Sequence, residues 1–496
     1  QRRAFMAGAL SDSGGDLAIS LGSGVLNITN SETINITSLD IASTGKLVFT
    51  ADPAAGTATK LVASGAVNIA SGASLGLRLT SLLKDPKTYT VITGGSLTAG
   101  AINQDLLGNA PYLYKASSRT DANNAYIDVR RRTAAEIGMS RSQASAYDAV
   151  VGALGQNTDL ASAFLRRNDR DTFLEYYNQM LPDQGEGLFS ALASANQQIS
   201  AATAMRPDPG DRYGPDSIWV QELNTLVRRD SDATLGSDTQ ALGFVGGYEA
   251  MGDAGGALGL TLAFVSVEEH DIAAKVGEQT SSSFLQGGAY WRRAVGGWRM
   301  NAGGGGGYGW FEGDRRFIAG DDDADGAADL ILKNSAKWSG ATANAFAGLG
   351  YEAKFGRFYA RPEARFDYLW MREGERKEAG GGAGFDLLVD ERTSSNLSGE
   401  AGVALGADFG SDVWWRPEVR VGYRQTIAGE VGDTIARFTG GNPFTLAALD
   451  DKQGALTLGF AVRAGTPMSY LALEGSAEAT KRQKKYNVRL IGRAMF

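Results

Sequence analysis

From about residue 217 to the end of the chain, apolar and polar residues alternate with a period of two. Over Asp412 to Thr426, Trp415, Pro417, Val419, Val421 and Tyr423 fall on one face of an extended strand. Arg416, Glu418, Arg420, Gly422 and Arg424 fall on the other. Phe358 to Trp370 repeats the design, with Phe358, Ala360, Pro362, Ala364, Phe366, Tyr368 and Trp370 opposite Tyr359, Arg361, Glu363, Arg365 and Asp367. Both stretches carry Arg-Pro-Glu-x-Arg, at 361–365 and 416–420. The last residues alternate again, Tyr486, Val488, Leu490, Gly492, Ala494 and Phe496 against Asn487, Arg489, Ile491, Arg493 and Met495.

An ordinary half-buried sheet also alternates, so three further features decide for a barrel in lipid. The alternating runs last about 12 to 16 residues, well beyond the usual strand. Aromatics near their ends (Trp414, Trp415, Tyr423, Tyr368, Trp370) predict an interfacial girdle. Connection lengths also alternate. Twelve strands are expected, starting near 217, 239, 256, 281, 297, 336, 356, 393, 412, 453, 468 and 484. Every second connection is short (252–255, 295–297, 355–357, 410–412, 465–467), and the longest others lie at about 312–335, 371–392 and 427–451. Short turns on one side and long loops on the other mark outer-membrane barrels, and an even strand count brings both ends to the short-turn side. The glycine run Gly303 to Gly307 suits a crowded lumen or close strand approach.

Upstream the pattern differs. Residues 1 to about 130 hold short β-like runs at fairly even spacing, among them Gly24 to Ile28, Thr33 to Ile36, Lys46 to Phe49 and Ala66 to Ile69. Strands that cannot bury a face alone predict a stacked solenoid, with Thr88 to Ile92 and Ala125 to Val129 as capping strands; a β-sandwich is the competing reading. From 133 to about 205, β-branched residues thin out. Tyr147, Val150, Val151 and Leu154 follow helical spacing, a second helix is expected near Asp171 to Met180, and a third over about Gly185 to Met205. The third is narrow and rich in Ala and Ser, as a tight, partly polar environment requires.

Composition narrows the chemistry. There are 66 Gly but only 11 Pro among 496 residues, which is not a disordered or collagen-like balance. No Cys and one His (His270) exclude disulfides, thiolate chemistry and multi-His metal sites, and no cofactor is expected. A net charge of −8 argues against nucleic acid as a partner. No basic-then-apolar leader precedes Gln1, so the chain is read as already processed or truncated.

A solenoid-like stem, a helical linker and a twelve-stranded barrel ending in Phe together resemble the classical (type Va) autotransporters. Leu181-Pro182-Asp183-Gln184-Gly185-Glu186, followed by a small-residue helix, is similar to the linker these barrels carry before their first strand. Residues 80–130 resemble the membrane-proximal end of a passenger. The resemblance implies a mainly β chain with three parts: a right-handed β-solenoid stem over 1–132, an α-helical linker over 133–210 that includes a plug helix, and the translocator barrel over 211–496. It implies an outer-membrane, non-enzymatic protein of a Gram-negative bacterium, monomeric as a barrel, which anchors its own passenger and takes part in its export with the stem at the cell surface. The implied partners are outer-membrane lipid, the barrel-assembly machinery and periplasmic chaperones. A terminal signal for assembly would be carried by Tyr486, Val488, Leu490 and Phe496, although Gly492 and Ala494 depart from the usual pattern. A surface adhesin whose solenoid binds a partner, and a porin-like channel with an extra domain, remain alternatives.

Inward rows of Arg361, Glu363, Arg365, Arg416, Glu418, Arg420, Arg424, Glu474 and Glu478 would line the lumen. Opposite charges two residues apart would pair along a strand, or the rows would hydrogen-bond a plug helix at Asn196, Gln197 and Gln198. Asp321, Asp323, Asp325 and Asp329 match part of a calcium loop, but Leu332 stands where a bidentate Glu belongs. Asn123-Asn124 lacks the setting for self-cleavage, there is no Gly-x-Ser-x-Gly elbow, and His270 is expected on the surface.

Overall fold

The computed structural model describes residues 3–6, 17–108, 110–204, 216–230, 236–251, 256–272, 275, 277–320, 328–448, 452 and 454–495. It divides into two compact units. One takes Gln1–Leu181 with Phe317–Leu332 and Ala383–Phe385; the other takes Pro182–Arg316, Lys333–Gly382 and Asp386–Phe496.

The first unit begins as a parallel stack. Strand Ala18–Ile28 pairs in parallel with Ser38–Asp52, which pairs in turn with Ala66–Ile69 and Ser74–Leu79. Thr33–Ile36 pairs in parallel with Lys60–Ala63 on a second sheet. Leu39, Leu47, Phe49, Leu61, Val67 and Leu75 are fully buried between the sheets, which is how strands too short to bury a face alone acquire a core. The stack ends in antiparallel pairing: Lys87–Thr93 pairs with Asn124–Arg131, which pairs with Tyr114–Thr120. Helices follow at Arg141–Leu154, Thr158–Leu165 and Arg170–Gln179, each capped by a side chain (Ser140, Asn157 and Asp169). Phe164, Phe173, Tyr176 and Phe317 stack edge and face within this unit. The sequence pattern predicts helices over the first and third of these stretches; Thr158–Leu165 is an additional one.

The second unit is a closed antiparallel barrel of twelve strands. They are β1 (Asp216–Arg229), β2 (Ser237–Met251), β3 (Gly256–Asp271), β4 (Gln279–Val295), β5 (Trp298–Ile318), β6 (Ile331–Tyr351), β7 (Phe358–Glu373), β8 (Arg392–Ala407), β9 (Trp414–Glu430), β10 (Gly454–Thr466), β11 (Ser469–Ala479) and β12 (Gln483–Met495). Each pairs with its sequence neighbour, and β1 pairs with β12 to close the ring. The helix Glu186–Thr203 belongs to this unit, so the stretch 133–210 is divided between the two units rather than forming one helical body.

The outer face is apolar where alternation predicts. Phe244, Leu260, Val419, Val421, Tyr423, Val488 and Leu490 point away from the lumen and are about half exposed. Trp298 and Trp310 lie twelve residues apart on the outer face of β5. That spacing is about 40 Å along a strand, or about 30 Å across the bilayer at a tilt near 40°. Two aromatic belts therefore bracket the apolar band. Trp298, Tyr351, Phe358 and Trp415 form one at the short-turn end, and Tyr308, Trp310, Tyr368 and Tyr486 form the other.

Trp414 does not join a belt. It is buried inside against Tyr470, because adjacent residues of a strand face opposite ways. The connection expected over 312–335 is shorter than supposed: the β5–β6 hairpin continues to Ile318 and from Ile331, well past the upper belt. Two other long connections form a four-stranded sheet from Arg376–Lys377, Leu387–Val389, Thr434–Phe438 and Phe444–Leu446. Two features of the lipid face break its pattern. Glu222 points outward midway along β1, with no ion pair or hydrogen bond among the described residues. On β4–β6 the band is built of small residues, including Gly287, Ala289, Gly304, Gly306, Ala343 and Ala345. The glycines of β5 permit close strand approach: a Cβ on Gly305 or Gly307 would overlap a carbonyl oxygen of β4.

Candidate functional site: the occupied lumen

The helix Glu186–Thr203 is buried nearly all round inside the second unit. Its eighteen residues span about 27 Å, matching the apolar band. Leu188, Ala191, Leu192, Ala195 and Ile199 make one helical face and pack on Trp219, Leu223, Val245, Val265, Phe284 and Phe311 of β1–β5. The small alanines let the helix approach this wall closely. On the polar face, Gln198 Nε2 donates to Thr225 Oγ1 at 2.6 Å, Ser200 Oγ donates to Asp367 at 2.7 Å, and Asn344 Nδ2 donates to Asn196 Oδ1 at 2.9 Å.

The segment before the helix is fastened residue by residue. Asp183 accepts from Gly185 N at 2.9 Å, and Gln184 Nε2 donates to Ala447 O at 3.3 Å. Arg392 pairs with Glu373 through Nε at 2.8 Å and also donates to the Gln184 carbonyl. Gly185 has φ 62° with the Arg392 guanidinium over it, so a side chain there meets both backbone strain and overlap. Glu186 pairs with Arg229. Gly187 leaves room for the Glu269 carboxylate, which accepts from Leu188 N at 2.8 Å at the helix N-terminus. Arg229 and Glu269 both lie toward the long-connection ends of their strands. The helix therefore starts at that end and finishes near Arg299 and Arg361 at the short-turn end.

The nine charged residues expected in the lumen point inward in two bridged clusters, one around Arg361 and Glu418 and one around Arg424 and Glu400, with partners the sequence did not single out. Arg361 Nη2 reaches Glu418 at 2.7 Å, and Arg420 Nε reaches Glu363 at 2.6 Å. These bridges are reciprocal: each copy of Arg-Pro-Glu-x-Arg supplies one Arg and one Glu. They arch over β8, whose inward positions Gly402, Ala404 and Gly406 are small. Arg416 pairs with Glu352 at 2.8 Å and lies 3.9 Å over the Tyr359 ring. Arg365 pairs with Asp367 at 2.9 Å, Arg424 with Glu400 and with Glu478 at 3.2 Å, and Glu474 holds Arg463 at 2.5 Å and Arg489. Pairs two residues apart do occur, as Arg361 with Glu363 at 3.1 Å, but most bridges cross strands. Strand register sets that choice. From this charged wall the helix backbone is met by Arg489, whose Nη1 donates to Gln198 O at 3.1 Å.

The remaining candidates fall elsewhere. Tyr486, Val488 and Leu490 face outward on β12, and Phe496 lies outside the described residues. Asp321, Asp323 and Asp325 also lie outside them; Asp329 is held by Arg166 at 2.8 Å within the first unit. No group of carboxylates placed to hold a metal occurs among the described residues. His270 is half exposed near Glu268 at the outer end of β3. Asn123 Nδ2 donates to Gly95 O at 2.9 Å, a role in holding a turn.

A family model described as autotransporter beta-domain matches residues 218–476, just over half of the chain. Among solved structures the chain is similar to the translocator domain of the autotransporter NalP from Neisseria meningitidis. Identity is 14% and the TM-score 0.46, over 62% of this chain and 98% of that one. It is also similar to the beta domain of the Bordetella autotransporter BrkA, at 14% identity and TM-score 0.40 over 57% of this chain and 100% of that one. The transport unit of AIDA-I from Escherichia coli aligns at 12% identity and TM-score 0.41, over 62% and 98%. No curated protein matches the chain.

Proposed function

Because the chain belongs to the autotransporter family, its barrel being an outer-membrane translocator of type V secretion in a Gram-negative envelope, we propose that it anchors and helps to export its own N-terminal stem and leaves the linker helix as a plug. The observation that carries this reading is the helix itself. It is buried inside a closed barrel, fastened at its first turn, and oriented with its N-terminus at the long-connection end. A chain that leaves the lumen at that end is delivered to the cell surface, where residues 1–132 would sit as the base of a passenger. Residues 133–210 then act as the link and 211–496 as the anchor, whose task is transport rather than catalysis. The nine inward charges serve as lumen lining. Tyr486, Val488, Leu490 and Phe496 serve as the strand read by the assembly machinery after delivery by periplasmic chaperones.

Removing residues 185–205 is expected to open the pore. Planar-bilayer recording should give a conductance several-fold above that of the full chain, and an unchanged small conductance would sink the plug. Protease added to intact cells should cut within 1–130, whereas protection of that region would place it in the periplasm.

A further inference from the structure

On β6 and β7 the outward cations nearest the outer aromatic belt are paired along the wall. Lys337 meets Glu312 at 3.0 Å, and Arg372 meets Glu391 at 2.5 Å. The arc formed by β11, β12 and β1 differs. Arg228 and Lys484 are register partners where β1 closes on β12, and both are exposed on the outer face. Two cations thus stand side by side, about 5 Å apart at their Cα atoms, an arrangement that repels unless a counter-charge lies between. Asp238 lies 4.0 Å from Arg228 on its other side. Lys481 and Lys484 are exposed and have no ion pair or hydrogen bond among the described residues. Setting the exposed acids Asp230 and Asp238 against Arg228 and Arg482 still leaves these two lysines in excess.

The hairpin keeps both lysines at the membrane surface. Only residues 480–482 connect β11 to β12. Thr480 Oγ1 accepts from the backbone N of Arg482 at 3.3 Å and of Gln483 at 3.0 Å. Between the lysines, Gln483 turns inward and donates to Ser190 Oγ of the lumen helix at 2.9 Å, and Lys485 pairs inward with Glu478 at 3.3 Å. So short a turn does not carry its cations off into solvent. Lys484 stands two residues beyond Tyr486 of the belt, about 5 Å along the membrane normal. Below it the outer face of β11 is small. Ala477 and Ala479 lie between Leu458 and Leu456 of β10 on one side and Tyr486 and Lys484 of β12 on the other. They floor a shallow apolar trough, one strand wide, that opens upward beside Lys484.

We propose that this arc binds the phosphorylated headgroup of an outer-leaflet lipid, with Lys481 and Lys484 on the phosphate and the start of an acyl chain over Ala477 and Ala479. The outer leaflet of a Gram-negative outer membrane is built from a phosphorylated, multiply acylated sugar lipid. Lysines at headgroup level supply point charges for such phosphates while their stems stay on apolar surface. Free phosphate offers the same charge without the chains. The trough directly below the cations assigns the site to the lipid. The inference rests on the barrel standing in the outer membrane with its long connections outward, and it does not depend on the helix acting as the plug.

The test is native mass spectrometry of the full chain, folded in a neutral detergent and titrated separately with diphosphorylated lipid A, dephosphorylated lipid A, phosphatidylcholine and inorganic phosphate. The full chain should retain the diphosphorylated lipid in preference to the other three. Combining Lys481→Gln with Lys484→Gln should weaken that binding by at least about ten-fold. Combining Lys481→Arg with Lys484→Arg should restore it, and Lys337→Gln, at a paired lysine of similar height, should leave it unchanged. Heat-modifiable gel mobility verifies that each variant is a folded barrel. Undiminished binding by the double Gln variant, or an equal loss in Lys337→Gln, would overturn the site. Equal retention of dephosphorylated lipid A or phosphatidylcholine would overturn recognition through the headgroup phosphates. Inorganic phosphate held as tightly as the lipid would make this a plain anion site and overturn the lipid assignment.

Discussion

Gly187 sits in the first turn of the lumen helix, where a Cβ would overlap both the Glu269 carboxylate and the Thr239 hydroxyl. Gly187→Val is therefore expected to push the helix N-terminus off the wall, at a cost of about 1–3 kcal/mol. The readout is more frequent channel opening in bilayers, while heat-modifiable mobility shows that the barrel itself persists. A second residue-scale expectation concerns Asp121 in the stem. The Tyr126 hydroxyl, with the backbone N–H groups of Asn123 and Asn124, holds its carboxyl at about 2, below the ordinary 3.8. A depressed native pKa contributes stability above the unfolded value and loses it as pH falls through the native one. The Asp121–Asn124 turn should thus be intact above about pH 4 and loosen toward pH 2. Amide exchange at Asn123 and Asn124 should follow that course, and Asp121→Asn should abolish the dependence.

At the scale of elements, the reciprocal bridges between β7 and β9 are open to a double-mutant cycle. Arg361→Gln and Glu418→Gln should each destabilise the barrel, since each takes one charge out of a buried cluster and leaves its partners with one counter-charge fewer, with a coupling energy of about 1–3 kcal/mol in urea unfolding from bilayers. Glu222 on β1 predicts the opposite sign. A carboxylate facing the bilayer costs energy, so Glu222→Leu should raise stability by about 1 kcal/mol in the same assay. The strands were legible in the sequence because lipid and lumen impose a uniform two-sided rule over their length; the expected starts near 217, 256 and 393 became Asp216, Gly256 and Arg392. Cross-strand pairing was not legible. Glu352, Glu400 and Arg463 become partners only once register is fixed, and register is a property of two strands together. The same limit hid the small sheet in the long connections. Trp414 follows a simpler rule: two adjacent tryptophans on one strand cannot both face lipid, so Trp415 faces out and Trp414 in.

At the scale of the whole molecule, the barrel wall is not uniform around its circumference. The β7–β9 sector is cross-braced by salt bridges that reach over the small inward residues of β8. The β4–β6 sector holds the run Gly303 to Gly307 and, midway up its outer face, glycine and alanine, its bulk lying inward as Phe284, Tyr290, Phe311 and Trp338 against the helix. Mechanically the ring has a stiff arc and a compliant arc. A load that widens it should ovalise it rather than dilate it, with strain concentrated at β4–β6, and the lipids there would follow a wall that changes curvature while those beside β7–β9 would not.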